Sequence, residues 1–212
     1  MCGIAGFVGL PGEPPDFLLR RLTDALTHRG PDDEFNGEVY NFQELRSTLA
    51  GSGHAFRGTS DTEVMLSAFE QWGVHEAVLR FNGMFALAVW DGLERRLHLI
   101  RDRLGVKPLY YQWWGGTLYF SSEMSRPSRS LTTRCISPRS LALYFHHNWI
   151  PTPYTIFEGV YKLPPGEIAT VSVTTARGGQ FESQQKFWNT RDAFLAYKLW
   201  AICMFESWLD VR

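Results

Sequence analysis

Apolar residues recur along this chain at two spacings, and these predict a mixture of strands and helices. Residues 3–9 form a short apolar run rich in small residues, which is typical of a buried strand. Helical spacing of three and four predicts helices over 17–28, 42–49 and from 61 onward, with a further short helix ending near Phe81. Residues 35–41 predict a strand and turn, and apolar and aromatic runs predict strands over 84–90, 96–100, 109–114 and 117–121.

Turn and capping residues separate these segments. Asp91-Gly92 and Gly115-Gly116 fall between predicted strands, as expected for hairpins. Ser60 precedes the third helix with Glu63 three residues later, a pattern that predicts a capping box. Short strands joined by tight turns, with several helices, favour a layered α+β domain with antiparallel sheets.

The pattern changes after Glu123. Residues 125–139 are rich in Ser, Arg and Thr and predict a loop, whereas 141–145 restart a helix and 161–173 contain a Pro-Gly turn that leads into a strand. The tail, residues 195–212, is interpreted as a C-terminal helix with Trp200 and Met204 on one face. We therefore expect one domain over 2–124, followed by a linker and extension over 125–212.

Composition excludes several classes of function. The 212 residues are 44% hydrophobic with a formal net charge of −1, which gives no electrostatic footprint for nucleic acid. Three cysteines, Cys2, Cys135 and Cys203, show neither a disulfide framework nor metal-ligand spacing, so no metal site is predicted. No apolar run reaches the ~20 residues of a membrane span. We expect a cytoplasmic protein without a membrane partner.

Cys2 is the first candidate for chemistry. Removal of Met1 would leave Cys2 at the N-terminus, with a thiol and a free α-amine on one residue. That amine has an ordinary pKa of about 7.7–8.0 and can act as the base for the thiol, as in an N-terminal nucleophile. The alternative is a small apolar side chain at the start of a strand, the usual place of a free cysteine.

Two other candidates also allow structural interpretations. Asn36-Gly37 is typical of a hairpin turn, but an Asn amide and a following backbone N–H can also form an oxyanion hole. Asp61 lies in the first turn of a predicted helix, where it would interact favourably with the helix dipole. It could instead bind the ammonium group of an amino acid. Taken alone, each of these patterns favours the structural interpretation.

The order of the motifs carries more information than any one of them. The chain contains Met-Cys-Gly-Ile-Ala-Gly, His-Arg-Gly-Pro-Asp-Asp, Asn-Gly-Glu-Val-Tyr-Asn-Phe, Thr-Ser-Asp-Thr-Glu-Val, Phe-Asn-Gly-Met-Phe-Ala-Leu-Ala-Val-Trp-Asp, Arg-Asp-Arg-Leu-Gly-Val-Lys-Pro-Leu-Tyr-Tyr and Phe-Ser-Ser-Glu, in that order. This series resembles the glutaminase domain of glutamine-hydrolysing asparagine synthetases, which are class II glutamine amidotransferases. The resemblance is close over 2–124 and looser over 140–173.

The resemblance implies an N-terminal-nucleophile hydrolase fold, a four-layer αββα sandwich with antiparallel sheets. It assigns Cys2 as the nucleophile and Asn36 with Gly37 as the oxyanion hole. It places Glu38 in the same substrate-binding block and implies that the Asp61 carboxylate binds the α-amine of glutamine. The block over 101–111 is expected to be structural.

The sequence departs from this family in three places, one of which is that residues 125–139 and 195–212 match none of its motifs. Members have several dozen residues between the positions of Asp33 and Asn36, including a strand whose arginine binds the glutamine α-carboxylate, and no arginine here is assigned that role. No Ser-Gly-Gly-x-Asp-Ser pyrophosphate loop is found either. ATP and magnesium are therefore expected to belong to a synthetase domain or chain, with no cofactor in this chain.

Two hypotheses follow from the resemblance and its departures. The first is a glutaminase that binds glutamine and supplies ammonia for asparagine synthesis, with a synthetase domain or chain as partner and a homodimer left open. The second is a non-catalytic remnant or binding module that keeps the scaffold. A third hypothesis, independent of the resemblance, takes the apolar run over 2–10 as the leader of a secreted or membrane-attached protein.

Overall fold

A computed structural model describes residues 3–9, 36–124 and 135–188, with only the backbone of Asn36 described. Within these ranges the helices are α1 (Phe42–Gly51), α2 (Asp61–Arg80), α3 (Pro138–His147) and α4 (Val173–Arg177). The strands are β1 (Ala5–Val8), β2 (Asn36–Val39), β3 (Gly83–Asp91), β4 (Arg96–Arg101), β5 (Tyr110–Trp114), β6 (Thr117–Ser121), β7 (Val160–Lys162), β8 (Glu167–Ser172) and β9 (Ser183–Lys186).

The strands form two antiparallel sheets. One has the order β1-β6-β5-β7 and the other the order β2-β3-β4-β8-β9. The apolar core between them contains residues from both sheets, because alternate side chains along each strand point to the same face. Its buried members include Ile4, Val8, Leu118 and Phe120 from the first sheet and its ends, and Ala86, Leu97, Leu99 and Val171 from the second.

Helices α1 and α2 cover the opposite face of the five-stranded sheet. The apolar residues of the two helices, among them Leu45, Leu49, Val64 and Ala68, pack with the sheet residues Val39, Phe85, Leu87 and Ile100. The predicted strands and the helices over 42–49 and 61–81 are therefore confirmed, and the fold is α+β. The predicted helix over 17–28 lies outside the described residues.

The start of α2 differs from the sequence prediction. Ser60 caps the helix, but its side chain accepts the N–H of Thr62 at 3.1 Å. The Glu63 carboxylate accepts the N–H groups of Arg57 and Gly58 at 2.8 and 2.9 Å, which lowers the pKa of Glu63. The predicted capping box is therefore wrong, because Glu63 closes the preceding loop instead of reaching back to Ser60. α2 is also interrupted at Gly73, which matches the prediction of two helices.

Two buried charged side chains organise the turn after β4. Arg101 and Asp102 are 8% and 1% exposed. The Arg101 guanidinium donates hydrogen bonds of 2.7–2.8 Å to three backbone carbonyl oxygens, those of Gly105, Lys107 and Leu163. The Asp102 carboxylate accepts three backbone N–H groups at 2.9–3.1 Å, those of Leu104, Val106 and Lys107. Since Leu163 directly follows β7, Arg101 links the two sheets, and the block over 101–111 has the structural role expected of it.

Residues beyond the expected domain boundary at 124 also contribute to these sheets. β7 pairs with β5, β8 with β4, and β9 with β8, so the fold continues across that boundary in the described chain. The restarted helix at 141–145 is confirmed as α3, which is largely exposed. The tail over 195–212, with Trp200 and Met204, lies outside the described residues. No helix among those described is long and apolar enough to cross a membrane.

Candidate active site on the edge of β2

Asn36 and Gly37 lie in strand β2, not in a turn. The strand pairs with β3 in antiparallel register, with Asn36 opposite Ala86 and Gly37 opposite Phe85. The hairpin-turn interpretation of Asn-Gly is therefore wrong, because a partner strand almost fifty residues further along the sequence holds this segment extended. Among the described strands, β2 forms one edge of its sheet.

The backbone N–H of Gly37 faces the side of this strand that no other described strand covers. In an antiparallel ladder, the N–H and C=O of one residue point to the same side and alternate along the strand. Phe85 uses its carbonyl to accept the N–H of Asp102 at 2.9 Å on the β4 side. Gly37 and Phe85 therefore form a pair without hydrogen bonds between β2 and β3. As a result, the N–H of Gly37 points away from β3. This is the orientation that an oxyanion donor requires.

The close approach of β2 and β3 explains why position 37 is a glycine. Gly37 has φ of +149°, a conformation that other residues rarely adopt. A Cβ at this position would lie 2.1 Å from the carbonyl oxygen of Met84. The opposite strand shows the same feature, since a Cβ on Gly83 would lie 2.1 Å from the carbonyl oxygen of Glu38. The two glycines allow β2 to lie unusually close to β3.

Replacing Gly37 by alanine is expected to lower the free energy of unfolding by about 3 kcal/mol or more, because an unfavourable φ adds to a backbone clash. Urea unfolding followed by circular dichroism measures this change. Gly51 is the matched control, since a Cβ there meets nothing within 4 Å. Gly51→Ala should be neutral or slightly stabilising. Equal effects of the two substitutions would contradict the close approach of the strands.

Asp61 is adjacent to the same strand edge. It is the first residue of α2, and its Oδ2 accepts the backbone N–H of Val39, the last residue of β2, at 3.1 Å. Val39 is two residues after Gly37, so its N–H points to the same side of the strand. The structure thus brings the predicted ammonium ligand and the predicted oxyanion donor to one edge. Glu38, which lies between Gly37 and Val39 in sequence, is exposed.

The residues that follow Cys2 are held in place at the four-stranded sheet. Cys2 itself lies outside the described residues, but Ile4 is held by Ser122 through three hydrogen bonds. The Ile4 N–H donates to Ser122 Oγ at 3.1 Å, and the Ile4 carbonyl accepts from the N–H and the Oγ of Ser122 at 2.8 and 3.3 Å. Ser122 is 1% exposed. Ile4 also shares the core between the sheets with Ala86, which lies opposite Asn36.

Removing the Ser122 hydroxyl is expected to destabilise the protein by about 1–3 kcal/mol, because the buried N–H of Ile4 loses its acceptor. Urea unfolding of Ser122→Ala gives the value. Ser47, whose hydroxyl bonds a helix carbonyl at an exposed position, is the control. Ser47→Ala should change stability by less than about 0.5 kcal/mol. A Ser122→Ala variant as stable as wild type would show that these hydrogen bonds do not hold the start of β1.

Sequence reasoning did not find two of these features. The bond between Asp61 and Val39 joins residues far apart in sequence, and no periodicity signals it. Ser122 belongs to the Phe-Ser-Ser-Glu block, whose resemblance pointed to the family but gave the serine no role. Both are tertiary contacts of side chains with backbone.

Comparison with known proteins agrees with this geometry. Residues 34–188 match a family described as the glutamine amidotransferase domain. The chain is 32% identical to asparagine synthetase [glutamine-hydrolyzing] 3 of Bacillus subtilis, in an alignment that covers 81% of this chain and 35% of the relative. It is 26% identical to amidase chry2 of Gibberella zeae, over 89% of this chain and 34% of that protein. The chain thus spans about a third of the length of these relatives.

Solved structures show the same fold. The glutamine phosphoribosylpyrophosphate amidotransferase of Bacillus subtilis superposes with a TM-score of 0.61 at 14% identity, covering 88% of this chain and 49% of that one. This superposition confirms the α+β fold with antiparallel sheets that the resemblance implies. A family match over most of the chain, a shared fold and a strand edge with an outward N–H beside a carboxylate lead to one assignment. The chain belongs to the glutamine amidotransferase domain family.

Proposed function

We propose that this chain hydrolyses glutamine to glutamate and ammonia, with Cys2 as the nucleophile. The observation that carries the proposal is the edge of β2, which is open among the described residues and where the outward N–H of Gly37 lies two residues from the N–H that binds Asp61. Hydrolysis of the amide of a free amino acid requires a hydrogen-bond donor for the oxyanion, and binding of its ammonium group requires an anionic side chain. Membership in the family supplies the substrate class.

The reaction proceeds through a thioester. The α-amine of Cys2 takes the thiol proton, and sulfur forms a bond to the carboxamide carbon of glutamine. The Asn36 side-chain amide and the Gly37 N–H stabilise the negative oxygen of the tetrahedral intermediate. As the intermediate collapses, the Cys2 ammonium returns the proton to the departing nitrogen, which leaves as ammonia. Water then adds to the thioester carbon, and glutamate leaves as the thiol is regenerated.

Charge pairing would orient the substrate. The glutamine ammonium would bind the Asp61 carboxylate, which has acceptor positions left after it accepts the N–H of Val39. Glu38, the exposed residue before Val39, would contribute a second negative charge near this edge. The proposal assigns no arginine to the α-carboxylate.

The ammonia would be used for asparagine synthesis from aspartate. This step would belong to a synthetase domain or chain that corresponds to the remaining length of the asparagine synthetase relatives. ATP and magnesium would act there, and no step proposed for this chain uses them. The proposal places the protein in the cytoplasm, where a thiol nucleophile stays reduced, and allows for a homodimer.

Glutamine turnover by the purified chain tests the proposal. Intact-mass measurement first establishes that Met1 has been removed. Incubation with L-glutamine should then release glutamate and ammonia in equal amounts, whereas L-asparagine, one methylene shorter, should react far more slowly. Protein with a free Cys2 that releases no ammonia would contradict the proposal. Such a result would favour a binding module that has kept the scaffold.

A further inference from the structure

The position of Asp61 at the start of a helix does not by itself explain its hydrogen bond to Val39. An aspartate in the first turn of a helix is already stabilised by the helix dipole and by solvent. Here one of its oxygens instead crosses to another element and accepts the N–H of a fully buried strand residue at 3.1 Å. The bond fixes the start of α2 against the open edge of β2.

β2 is a strand that needs such support. It is four residues long and lies at the edge of its sheet among the described strands, and short edge strands open readily. On the β3 side, the N–H of Tyr40 donates to the carbonyl of Asn82, and the Asn41 side chain bonds the backbone of Arg80 and Asn82. On the opposite side, the Val39 N–H donates to the Oδ2 of Asp61.

The same edge carries the oxyanion donor. The N–H groups of Gly37 and Val39 lie on one side of the strand and are about 6.6 Å apart, from a rise of ~3.3 Å per residue. The distance between the amine and the carboxamide of an extended glutamine is of the same order. The Asp61 carboxylate therefore marks one end of a substrate-sized interval whose other end is the N–H of Gly37.

We infer that Asp61 is a positioning residue for the oxyanion strand as well as the ligand for the substrate ammonium. One carboxylate oxygen holds the Val39 N–H and thereby the orientation of Gly37, while the other faces the ligand. Glutamine binding and oxyanion geometry thus depend on the same side chain. This inference rests on the proposed function and adds to it a dependence of the chemical step on Asp61.

Two substitutions at Asp61 separate the two roles. Asp61→Asn removes the charge but keeps an oxygen that can accept the Val39 N–H, so KM for glutamine should rise about tenfold or more. Its kcat should stay within about threefold of wild type. Asp61→Ala removes both functions, and kcat at saturating glutamine should fall about tenfold or more because the oxyanion donor is misplaced. If both variants change KM alone, and by the same factor, the positioning role is refuted.

A second readout is independent of turnover. Hydrogen exchange measured by mass spectrometry on peptides that cover 36–40 should be at least about threefold faster in Asp61→Ala than in Asp61→Asn. Glu63→Gln is the control, because Glu63 lies in the same helical turn but bonds the preceding loop. It should change neither exchange at 36–40 nor kcat. Equal hydrogen-exchange rates at 36–40 in the two Asp61 variants would overturn the inference, even if the wild-type protein hydrolyses glutamine. A wild-type protein that does not hydrolyse glutamine would overturn only the proposed function.

Discussion

Cys2→Ala is expected to reduce glutamine hydrolysis to less than about a thousandth of the wild-type rate, because the covalent route disappears with its nucleophile. The oxyanion donor at Gly37 and the carboxylate of Asp61 would remain, but neither can form a thioester. Continuous measurement of glutamate release determines the rate. Urea unfolding in parallel should show an unchanged midpoint, since the substitution removes one sulfur atom at the end of the chain.

Two controls separate the nucleophile from other thiol effects. Cys135 is an exposed free cysteine, and Cys135→Ala should keep full activity. A form extended by an uncleaved residue before Cys2 keeps the thiol but converts its amine into an amide. That form should also be inactive, because the proton acceptor is gone. Full turnover in the extended form would exclude the N-terminal amine as the base, and full turnover in Cys2→Ala would exclude the mechanism.

Local patterns predicted most of the described elements. The strands β3 to β6 and the helices α1 and α2 have apolar spacings that match their own secondary structure, and each element lies within one or two residues of its prediction at most ends. Gly115 and Gly116 both adopt positive φ, as the predicted hairpin requires. These features depend on neighbours in sequence, which is why a sequence alone contains them.

The errors occur where hydrogen-bond partners outside the local pattern decide the structure. Asn36-Gly37 has the composition of a turn, and only pairing with β3 makes it a strand. Ser60 and Glu63 have the spacing of a capping box, but the loop N–H groups of Arg57 and Gly58 compete successfully for the glutamate. At Asn36-Gly37 a tertiary partner overrides the local preference, and at Glu63 the preceding loop does so.

The candidate site shows the same division. The residue types at Asn36, Gly37 and Asp61 were available from the sequence, but each pattern alone favoured a structural role, and only the order of the motifs indicated chemistry. The structure adds that Gly37 and Asp61 lie on one strand edge. That relation could not be predicted, because it depends on the pairing of β2 with β3 and on the position of α2 against them.

Asp102→Ala is expected to lower the free energy of unfolding by about 3–5 kcal/mol, since three backbone N–H groups of the turn lose a buried, charged acceptor and Arg101 loses its adjacent anion. This is a large share of the ~5–15 kcal/mol that stabilises a typical domain. Asp102→Asn keeps one acceptor oxygen and should lie between wild type and alanine. Urea unfolding at neutral pH gives all three values, and the asparagine variant provides a measurement if the alanine variant does not fold.

Asp91 provides the matched comparison. Its carboxylate also closes a turn, accepting the N–H groups of Leu93 and Glu94 at 2.8 and 2.9 Å, but this turn is open to solvent. Water can replace a lost acceptor there, so Asp91→Ala should cost no more than about 1 kcal/mol. The carboxylate of Asp102 is instead buried, because this residue is 1% exposed and its turn is tied by Arg101 to the sheet that contains β7. Equal losses at the two positions would show that burial does not set the cost and that Asp102 is an ordinary turn residue.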